Sequence, residues 1–417
     1  MREFSDGAGE RLMKSSTYDV AIIGAGIVGL ATALKLVQNY RLSLIVLEAE
    51  NEVAAHQTGH NSGVIHSGLY YKPGSMKALN CVSGREAMYR FCEENDIAHD
   101  HCGKVVVATH SSEIPSLNML EERGRANGLS GIRRLSPQEI REIEPYVNGI
   151  DGLWVPQTGI VDYKDVSKTY ARLILESGGE IKTNTRVIGF SDDHNLIQLK
   201  TSSGEIETKN LINCAGLRSD KIARLCGVEP GLQIIPFRGE YYEIVPGKEY
   251  LVKNLIYPVP DVRFPFLGVH FTRMIHGGVE AGPNAVLALK REGYKKTDIS
   301  IPDITYYGIY VGFWKMAFKY WKMSISETYR SFSKYAFVKA LQRLIPDLQM
   351  EDVHPAGSGV RAQALSSDGK LLDDFSIVER QHQVHVLNAP SPAATASLAI
   401  GETIASMAEK NFQLVKI

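Results

Sequence analysis

The sequence has 417 residues, of which 44% are hydrophobic, so it is long enough for two domains and a large buried core. Its 46 lysines and arginines nearly balance its 47 aspartates and glutamates, which excludes an overall positive field that would attract nucleic acid. Any anionic ligand must therefore meet a local cluster of cations.

Three features of the sequence indicate the cellular compartment of the protein. Residues 1–17 are polar, lack the apolar stretch of a signal peptide and predict a disordered tail. No run of about 18 apolar residues occurs, which argues against a membrane-spanning helix. The five cysteines form no CxxC pair and predict free thiols in a reducing compartment. These features favour a cytoplasmic protein.

Residues 18–48 predict a strand, a glycine turn, a helix and a second strand that ends at an acid. An apolar run at 18–23 leads into Gly24-Ala25-Gly26-Ile27-Val28-Gly29, and a helical pattern follows at 30–36. A second apolar run at 42–47 ends at Glu48. In this order a GxGxxG match predicts a dinucleotide site.

Each part of this motif has a physical role. Gly24 permits the tight turn, Gly26 lets backbone N–H groups approach a pyrophosphate, and Gly29 lets the helix pack closely on the strand. Glu48 lies 19 residues after Gly29, near the spacing of about 20 for an acid that binds ribose hydroxyls. An acid there disfavours NADP, but the motif leaves NAD and FAD open.

Later elements predict that the chain returns to this first unit. An amphipathic helix at 162–176, a buried strand at 211–216, a strand at 384–388 and a helix at 397–410 are expected. No linker-like segment marks a boundary, so the domains are expected to interleave. The predicted dinucleotide-binding domain comprises 18–82, 153–231 and 357–417, and the second domain comprises 83–152 and 232–356.

Several segments resemble the superfamily of D-amino-acid oxidase, glycine oxidase and sarcosine oxidase. They are Gly24–Gly29 with Glu48, the strand 210–216 with Leu217-Arg218-Ser219-Asp220, and Pro236-Phe237-Arg238-Gly239-Glu240. The segment 56–68, HQTGHNSGVIHSG, and the segment 388–395, NAPSPAAT, resemble its L-2-hydroxyglutarate dehydrogenase/oxidase branch. The resemblance runs from about residue 18 to about residue 410.

This resemblance implies an α/β (α+β) fold, in which a Rossmann-like FAD-binding domain interleaves with a substrate domain on a mostly antiparallel sheet. It implies oxidation of L-2-hydroxyglutarate to 2-oxoglutarate by hydride transfer to flavin N5, with a quinone or oxygen as the final acceptor. No cysteine matches a covalent linkage, so FAD is expected to bind non-covalently. Besides the glycine motif and Glu48, the implied cofactor contacts are His60, Asn61, Ser62, Gly216, Asn388, Pro390, Ser391, Ala394 and Thr395.

Oxidation of an alcohol requires a base for the hydroxyl proton. An alcohol resembles water, whose pKa is about 15.7, whereas histidine has an ordinary pKa of about 6.5. The candidates are His270, His66 and His60, in that order of preference. His270 lies in a strand pattern in which residues 268, 270 and 272 share one face and 269, 271 and 273 share the other. Each of the three could equally be a hydrogen-bonded structural imidazole.

A dicarboxylate substrate favours guanidinium partners, because their planar fork matches a carboxylate. Arg361 resembles the position at which glycine oxidase-like proteins bind the substrate carboxylate. Arg273 and Arg238 are candidates for the distal carboxylate, and Tyr257 is a further candidate substrate contact. Arg238 could instead hold the turn before Gly239.

The carboxyl-terminal segment predicts a helix start near the cofactor. Pro390 and Pro392 cannot extend a strand, and Thr395 and Ser397 are competent N-caps for the helix that follows. Beneath flavin N1 and C2=O, that helix start would stabilise the negative charge of reduced flavin. An ordinary capped helix is the alternative.

Three other features are candidates for binding a metal ion or a membrane. Zinc sites at His56 with His60, and at 92–102 with two cysteines and two histidines, are rejected, because glycines interrupt the first and the second lacks regular ligand spacing. The segment 306–322 is aromatic and basic. It predicts either peripheral contact with the inner face of the cell membrane, where a quinone would collect electrons, or a partly buried helix.

Other functions stay open at this point. An amino-acid or amine oxidase and a glycerol-3-phosphate oxidase are alternatives within enzymes. A flavin-binding redox sensor without turnover is the alternative of another class.

Overall fold

The computed structural model of the protein describes residues 17–193, 196–261 and 267–417. The predicted tail at 1–17 lies outside these residues except for Thr17. In the described ranges the chain forms strands β1 to β20 and helices α1 to α10.

The strands are short in the first third of the chain and longest in its second half. In chain order they are β1 (Tyr18–Ile23), β2 (Leu44–Leu47), β3 (Val64–Ile65), β4 (His99–Asp100), β5 (Lys104–Ala108), β6 (Arg133–Leu135), β7 (Asp151–Val155), β8 (Gly159–Val161), β9 (Glu180–Lys182), β10 (Val187–Asp193), β11 (Leu196–Thr201), β12 (Gly204–Asn213), β13 (Leu232–Ile244), β14 (Leu255–Pro258), β15 (His270–Arg273), β16 (Val279–Gly282), β17 (Val286–Leu287), β18 (Val353–Ser366), β19 (Ser376–Arg380) and β20 (Gln383–Asn388).

Among the described helices, α5 and α6 connect strands of different sheets, and most of the others connect strands of one sheet. They are α1 (Ile27–Asn39), α2 (Met76–Glu94), α3 (Ile114–Ala126), α4 (Pro137–Ile143), α5 (Tyr163–Glu176), α6 (Ser219–Leu225), α7 (Ile301–Gly308), α8 (Val311–Phe332), α9 (Lys334–Leu341) and α10 (Ser397–Phe412).

The first sheet is the dinucleotide-binding type of sheet that the sequence predicts. Its parallel strands follow the order β20, β12, β1, β2, β9, while β19 pairs antiparallel with β20, and β10 and β11 form an antiparallel extension of β12. β1 and β2 are almost wholly buried, as expected for parallel strands in the middle of a sheet. Helices α1, α2, α5 and α10 contribute to the main core beside it.

Close helix packing in this core depends on glycine. A Cβ on Gly29 of α1 would lie 2.1 Å from the Gly24 carbonyl oxygen, and a Cβ on Gly401 of α10 would lie 2.7 Å from the Ala31 backbone. A larger side chain at either position would therefore push α1 away from the glycine turn or from α10.

The second sheet is mostly antiparallel, as the sequence predicts. It runs β17, β13, β16, β15, β14, β5, β7, β6, with β18 on the other side of β13, and only β14 and β5 pair in parallel. β13 and β18 are the longest pair, and their register places Phe237 opposite Arg361. A small antiparallel sheet of β3, β8 and β4 lies apart from these two. The predicted fold class is confirmed.

Three of the predicted domain boundaries fall inside elements, and the one at 152–153 divides β7. The boundary at 82–83 lies within α2, whose Met88 and Phe91 belong to the core of the first sheet. The boundary at 356–357 lies within β18, which pairs with β13 of the second sheet up to residue 366. The division into domains stays a prediction, and these elements would move its boundaries.

A buried ion pair connects the turn after β12 with the segment before α7. Arg291 and Asp220 have no solvent exposure, and two guanidinium nitrogens of Arg291 donate to the Asp220 carboxylate at 2.6 and 2.9 Å. The backbone N–H of Arg291 donates to Asp303 in α7, which also pairs with Lys221 at 2.7 Å. This network joins segments that are about 70 or more residues apart in the chain.

The topology brings the predicted site residues to one edge. β1, β12 and β20 are parallel, so the turns that follow them meet at the same end of the first sheet. β14, β15 and β18 of the second sheet carry side chains that face the same space. None of the described helices is both long and apolar enough to cross a bilayer.

Candidate active site

A cavity of about 1510 Å³ lies between the two large sheets. It extends from Gly24 and Glu48 at one end to Tyr257, His270 and Arg361. Typical small-molecule pockets measure roughly 300–1,000 Å³. The cavity therefore has room for a large ligand and a small one.

The glycine turn leaves open backbone at one end of the cavity. Gly24 has a φ of +106°, and a Cβ there would lie 2.6 Å from the Cys214 carbonyl oxygen. A Cβ on Gly26 would meet only the Thr58 hydroxyl, at 3.4 Å. That hydroxyl accepts a hydrogen bond from the Ile27 N–H at the start of α1, at 3.0 Å. The turn is thus shaped by backbone contacts and presents a helix N-terminus to the cavity.

Glu48 is buried beside this turn and lines the cavity. Its carboxylate accepts hydrogen bonds from the N–H groups of Ala25, at 2.8 Å, and Glu50, at 3.0 Å. A carboxylate has capacity for further donors, so the same group can hold the glycine turn and accept from a ligand hydroxyl.

The loop from 56 to 63 forms one wall of the cavity, and His60, Asn61 and Ser62 line it. Asn61 shapes the loop, because its amide donates to the Thr58 carbonyl at 2.7 Å and its oxygen accepts from the Gly63 N–H at 2.9 Å. The His60 ring stacks on Tyr294 at 4.3 Å.

Contacts with backbone carbonyls restrain the His60 ring. It contacts the carbonyls of Ala55 and Ser358, and burial lowers its pKa. The ring of His60, the third candidate base, is thus held against the backbone of the cavity wall.

The carboxyl-terminal turn forms the opposite wall. Asn388, Pro390, Ser391, Ala394 and Thr395 line the cavity, and so does Gly216 at the turn after β12. The Asn388 amide donates to the Asp374 carbonyl at 2.8 Å. The residues predicted to contact the cofactor therefore lie around one space, apart from Gly29, which packs beneath the turn.

The predicted N-caps of α10 are wrong. The residue before the helix is Ala396, and no side chain caps it. The Thr395 hydroxyl instead accepts a hydrogen bond from the backbone N–H of His66 at 3.0 Å and lies 2.9 Å from the Tyr163 hydroxyl. The Ser397 hydroxyl lies 3.1 Å from the Tyr170 hydroxyl. Both side chains are buried, so tertiary partners replace the local cap.

These walls fit a dinucleotide with a flavin ring. The glycine turn is a cradle that a Cβ would fill, and Glu48 faces the same end. Farther along, the Tyr70 hydroxyl and Nδ1 of His66 are buried and have no hydrogen-bond partner among the described residues. Buried polar atoms are normally satisfied, so these two indicate a polar ligand in the cavity.

His270 lies at the catalytic end, buried on β15. Its Nδ1 lies 2.8 Å from the Gly268 carbonyl oxygen, which can only accept, so Nδ1 carries the proton. Nε2 therefore keeps its lone pair. The ring stacks on Tyr257 at 3.9 Å, and burial lowers the pKa of His270 to about 3, with Arg361 and Lys104 adding to the effect.

His66 is a second imidazole that lines the cavity; the residue is half-buried, and its Nδ1 atom is buried. Burial lowers its pKa to about 3, and the positive charges of Lys104, Lys77 and Arg361 act in the same direction. Its Nδ1 has no partner among the described residues, so nothing in this part of the chain fixes its tautomer.

Arg361 lines the cavity from β18. Its charge lowers the pKa values of both His270 and His66, so it lies on the same side as the two imidazoles. The strand approaches the loop closely, since a Cβ on Gly359 would lie 2.4 Å from the His60 carbonyl oxygen.

Arg273 and Arg238 do not line the cavity, which corrects their predicted role. Arg273 pairs with Asp100, and it lies three residues from His270, on the opposite face of the strand. Arg238 pairs with Glu240 at 3.0 Å and donates to the Lys295 carbonyl at 3.1 Å. Its neighbour Phe237 is the residue opposite Arg361, so Arg238 takes the other face.

The structure adds lining residues that the sequence interpretation missed. They are Tyr70, Tyr71, Tyr241 and Lys77. Tyr70 and Tyr71 follow the 56–68 segment after one residue, and this position was the sequence signal that could have identified them. Burial raises the pKa of Tyr241 to about 12, so its hydroxyl keeps its proton and can donate. Tyr241 and Lys77 carried no comparable pattern.

The second group of candidate zinc ligands, at 92–102, lies outside the cavity. His99, His101 and Glu93 place one ligand atom each within 4.8 Å of one another at a partly exposed surface. His101 stacks on Tyr89 at 3.6 Å, and Cys92 and Cys102 are buried free thiols. Groups of this kind are common at surfaces, and we assign them no role.

Comparison with known proteins gives the family. The DAO family model, described as FAD dependent oxidoreductase, matches residues 19–407. A protein of Indibacter alkaliphilus named L-2-hydroxyglutarate dehydrogenase is 55% identical over 95% of this chain and 100% of its own. The proteins of that name from Escherichia coli K12 and from human mitochondria are 45% and 44% identical, and they cover 93% and 97% of this chain and 92% of their own.

Solved structures show the same fold. The FAD-bound L-α-glycerophosphate oxidase of Mycoplasma pneumoniae has a TM-score of 0.79 at 24% identity, covering 96% of this chain and 97% of its own. The glycine oxidase of Geobacillus kaustophilus has a TM-score of 0.72 at 18% identity, covering 95% of both chains. The chain therefore belongs to the DAO family of FAD-dependent oxidoreductases, with FAD as its cofactor, and within that family to the L-2-hydroxyglutarate dehydrogenases.

Proposed function

We propose that the protein oxidises L-2-hydroxyglutarate to 2-oxoglutarate. The observation that carries this proposal is that the buried imidazole of His270, whose pKa burial lowers, and the Arg361 guanidinium line the same cavity. An alcohol needs a base and a carboxylate needs a cation, so this pair suits a 2-hydroxy acid. The names and identities of the curated relatives supply the choice of L-2-hydroxyglutarate.

Arg361 binds a substrate carboxylate and fixes the position of the neighbouring carbon. His270 accepts the hydroxyl proton at Nε2, because Nδ1 already donates to Gly268. When bound, FAD supplies the acceptor of the hydride. Burial of the imidazole excludes water from the proton acceptor.

His270 is favoured over His66 as the base for a geometric reason. The Gly268 carbonyl fixes one tautomer of His270, with the Nε2 lone pair available, whereas no described residue fixes Nδ1 of His66. A substrate with two negative charges stabilises the protonated imidazole, which offsets the low pKa of the ligand-free state.

We also propose that α8 contacts a membrane surface and that a quinone there accepts the electrons, with oxygen as the alternative acceptor. The segment 306–322 comprises the end of α7 and the first half of α8. Exposed apolar side chains repeat every three or four residues along α8 and share one face; they are Val311, Trp314, Phe318, Trp321, Ile325, Tyr329 and Phe332.

Charge complementarity favours a membrane over a second protein. Lys315, Lys319 and Lys322 are exposed beside the apolar face, and basic residues attract anionic lipid headgroups. Lys319 also lines the cavity, so α8 lies at one of its edges. Contact through this face would bring the cavity close to the bilayer, where quinones are found.

The proposed reaction is tested by anaerobic titration of the purified flavoprotein. L-2-hydroxyglutarate is expected to bleach the oxidised flavin, and D-2-hydroxyglutarate, lactate, glycine and glycerol 3-phosphate are not. Bleaching by glycine or by glycerol 3-phosphate in place of L-2-hydroxyglutarate would identify an amine oxidase or a glycerophosphate oxidase. Bleaching by none of them would contradict the proposal and favour a redox sensor.

A further inference from the structure

Lys104 is a buried lysine close to the catalytic end of the cavity. It begins β5 and is only 1% exposed. Among the described residues no carboxylate pairs with its ammonium group, whose neighbours are aromatic: Nζ lies 4.5 Å from the Tyr70 ring centre and 4.8 Å from that of Tyr257. Lysine is almost never fully buried unless it is paired, so this arrangement requires an explanation.

The position of Lys104 connects it with the proposed reaction. Tyr70 and Tyr257 line the cavity, and Lys104 lies behind them. Its positive charge lowers the pKa values of both His66 and His270. The ammonium group of Lys104 therefore acts electrostatically on the two imidazoles, although it is not part of the cavity wall.

Burial without an anion makes the charge of Lys104 conditional. Burial lowers the pKa of the Lys104 ammonium group to about 7, and the neighbouring Cys81 shifts that pKa in the opposite direction. The titratable groups that surround it are Tyr70 from the loop after β3, His66 from the same loop, Cys81 from α2, Tyr257 from β14 and His270 from β15. None of these residues is a carboxylate, so an anionic ligand would stabilise the ammonium form.

A dicarboxylate needs a second positive centre besides Arg361. The predicted candidates for that role are engaged elsewhere, since Arg273 pairs with Asp100 and Arg238 pairs with Glu240. Lys77 lines the cavity, but it pairs with Asp373 at 2.7 Å. Lys104 is the cation near the two imidazoles whose charge no described carboxylate neutralises.

We propose that Lys104 determines the specificity for dianionic substrates, because its buried ammonium group supplies the second positive charge from behind the rings of Tyr70 and Tyr257. The inference rests on the proposed function and names the charge that the substrate must carry. Lys104 does not contact the reacting atoms and is a specificity residue, not a catalytic one.

The experiment compares L-2-hydroxyglutarate with its 5-amide, which has nearly the same shape but one negative charge. In Lys104→Met, which keeps an unbranched side chain only one atom shorter, KM for L-2-hydroxyglutarate is expected to rise about tenfold with kcat little changed. KM for the 5-amide is expected to stay within about twofold. Lys35→Met is the matched control, because it removes a partly exposed lysine of α1 that pairs with Glu402 of α10, and it leaves both values unchanged.

A pH series on the wild-type enzyme tests the same idea without a variant. Both carboxylates of L-2-hydroxyglutarate are ionised above about pH 6, so only the enzyme changes charge. The dianion binds the protonated lysine best, and KM for L-2-hydroxyglutarate is therefore expected to rise as the pH passes upward through about 7. KM for the 5-amide changes less, and in Lys104→Met this pH dependence of selectivity disappears.

Several outcomes would overturn the inference. Equal losses for the two substrates in Lys104→Met, with normal flavin content and melting temperature, would show a general role in the site. If that variant fails to fold, a selectivity of the wild-type enzyme that is constant between about pH 6 and pH 8.5 overturns it instead.

The proposed function can fail separately. If the wild-type enzyme does not turn over L-2-hydroxyglutarate at all, the reaction proposal is contradicted. The inference is then read from the binding of 2-oxoglutarate and its 5-amide, measured by the change in flavin absorbance, and equal affinities for the two would overturn it.

Discussion

The two imidazoles that line the catalytic end of the cavity differ in one hydrogen bond, and that bond assigns their roles. The carbonyl of Gly268 forces the proton of His270 onto Nδ1, while His66 has no such partner among the described residues. A proton acceptor must hold its lone pair towards the substrate in every turnover, so a fixed tautomer is an advantage. This difference predicts unequal effects of matched substitutions.

His270→Asn keeps a side-chain donor for the Gly268 carbonyl but removes the proton acceptor. The rate of flavin reduction by L-2-hydroxyglutarate is expected to fall by a factor of about 100 to 10,000. The matched variant His66→Asn is expected to lose less. Anaerobic stopped-flow measurements at equal flavin content check this, and a larger loss in His66→Asn would reverse the assignment.

Residue roles were predictable from sequence only in part. The alternation in 268–273 correctly separates His270 from Arg273, but it does not say which face meets the cavity. The partner of Arg273, Asp100, lies 173 residues away in the chain, and no local pattern identifies it. Lys104 starts a run of buried apolar residues, and a single charge in such a run carries no sign of its neighbours.

At the scale of elements, local patterns were most informative where one element follows another directly. The strand, glycine turn, helix and acid at 18–48 form as predicted, and the predicted helices at 162–176 and 397–410 correspond to α5 and α10. The break between α7 and α8 and the capping of α10 were not predicted. In α10, buried tertiary partners take the hydroxyls that would otherwise cap the helix.

The glycine turn gives a prediction at this scale. Gly24→Ala places a Cβ 2.6 Å from the Cys214 carbonyl oxygen at a position with a φ of +106°, so the turn must shift. The purified variant is expected to lose most of its FAD. Gly178→Ala is the control, since its φ is +85° but nothing lies within 4 Å of the added Cβ. Flavin content per chain is the measurement, and equal content in both variants would show that the turn tolerates the shift.

At the scale of the molecule, the chain passes repeatedly between the two large sheets. The first sheet takes strands from residues 18–47, 180–213 and 376–388, and the second takes strands from residues 104–108, 133–155 and 232–366. Interleaving could be predicted, because late strands had to return to the first unit. The boundaries could not, because no linker marks them and β18 continues in the second sheet to residue 366, past the predicted boundary at 356–357.

The exposed face of α8 gives a prediction for the whole molecule. Trp314→Ser with Phe318→Ser and Trp321→Ser is expected to reduce binding to vesicles containing phosphatidylglycerol about tenfold or more, because buried apolar area drives interfacial binding. Co-sedimentation measures it. Ile150→Ser with Leu175→Ser removes exposed apolar residues elsewhere and serves as the control.

The charge contribution is checked by leaving out the anionic lipid. Binding of the wild-type protein to phosphatidylcholine vesicles is expected to be weaker and less sensitive to salt. A self-association that depends on the same three aromatic residues, without vesicle binding, would assign the face to a second copy of the chain.

The ion pair between Arg291 and Asp220 has a consequence for how the molecule responds to its ligand. Asp220 follows the turn that carries Gly216, at the cavity wall, and Arg291 reaches α7 through Asp303, one short connection before the surface helix α8. Because both side chains are fully buried, separating them would leave two unpaired charges inside the protein, which is strongly destabilising. We therefore expect motions of α8 and of the cavity wall at Gly216 to be coupled, so that both regions become more rigid or more mobile together.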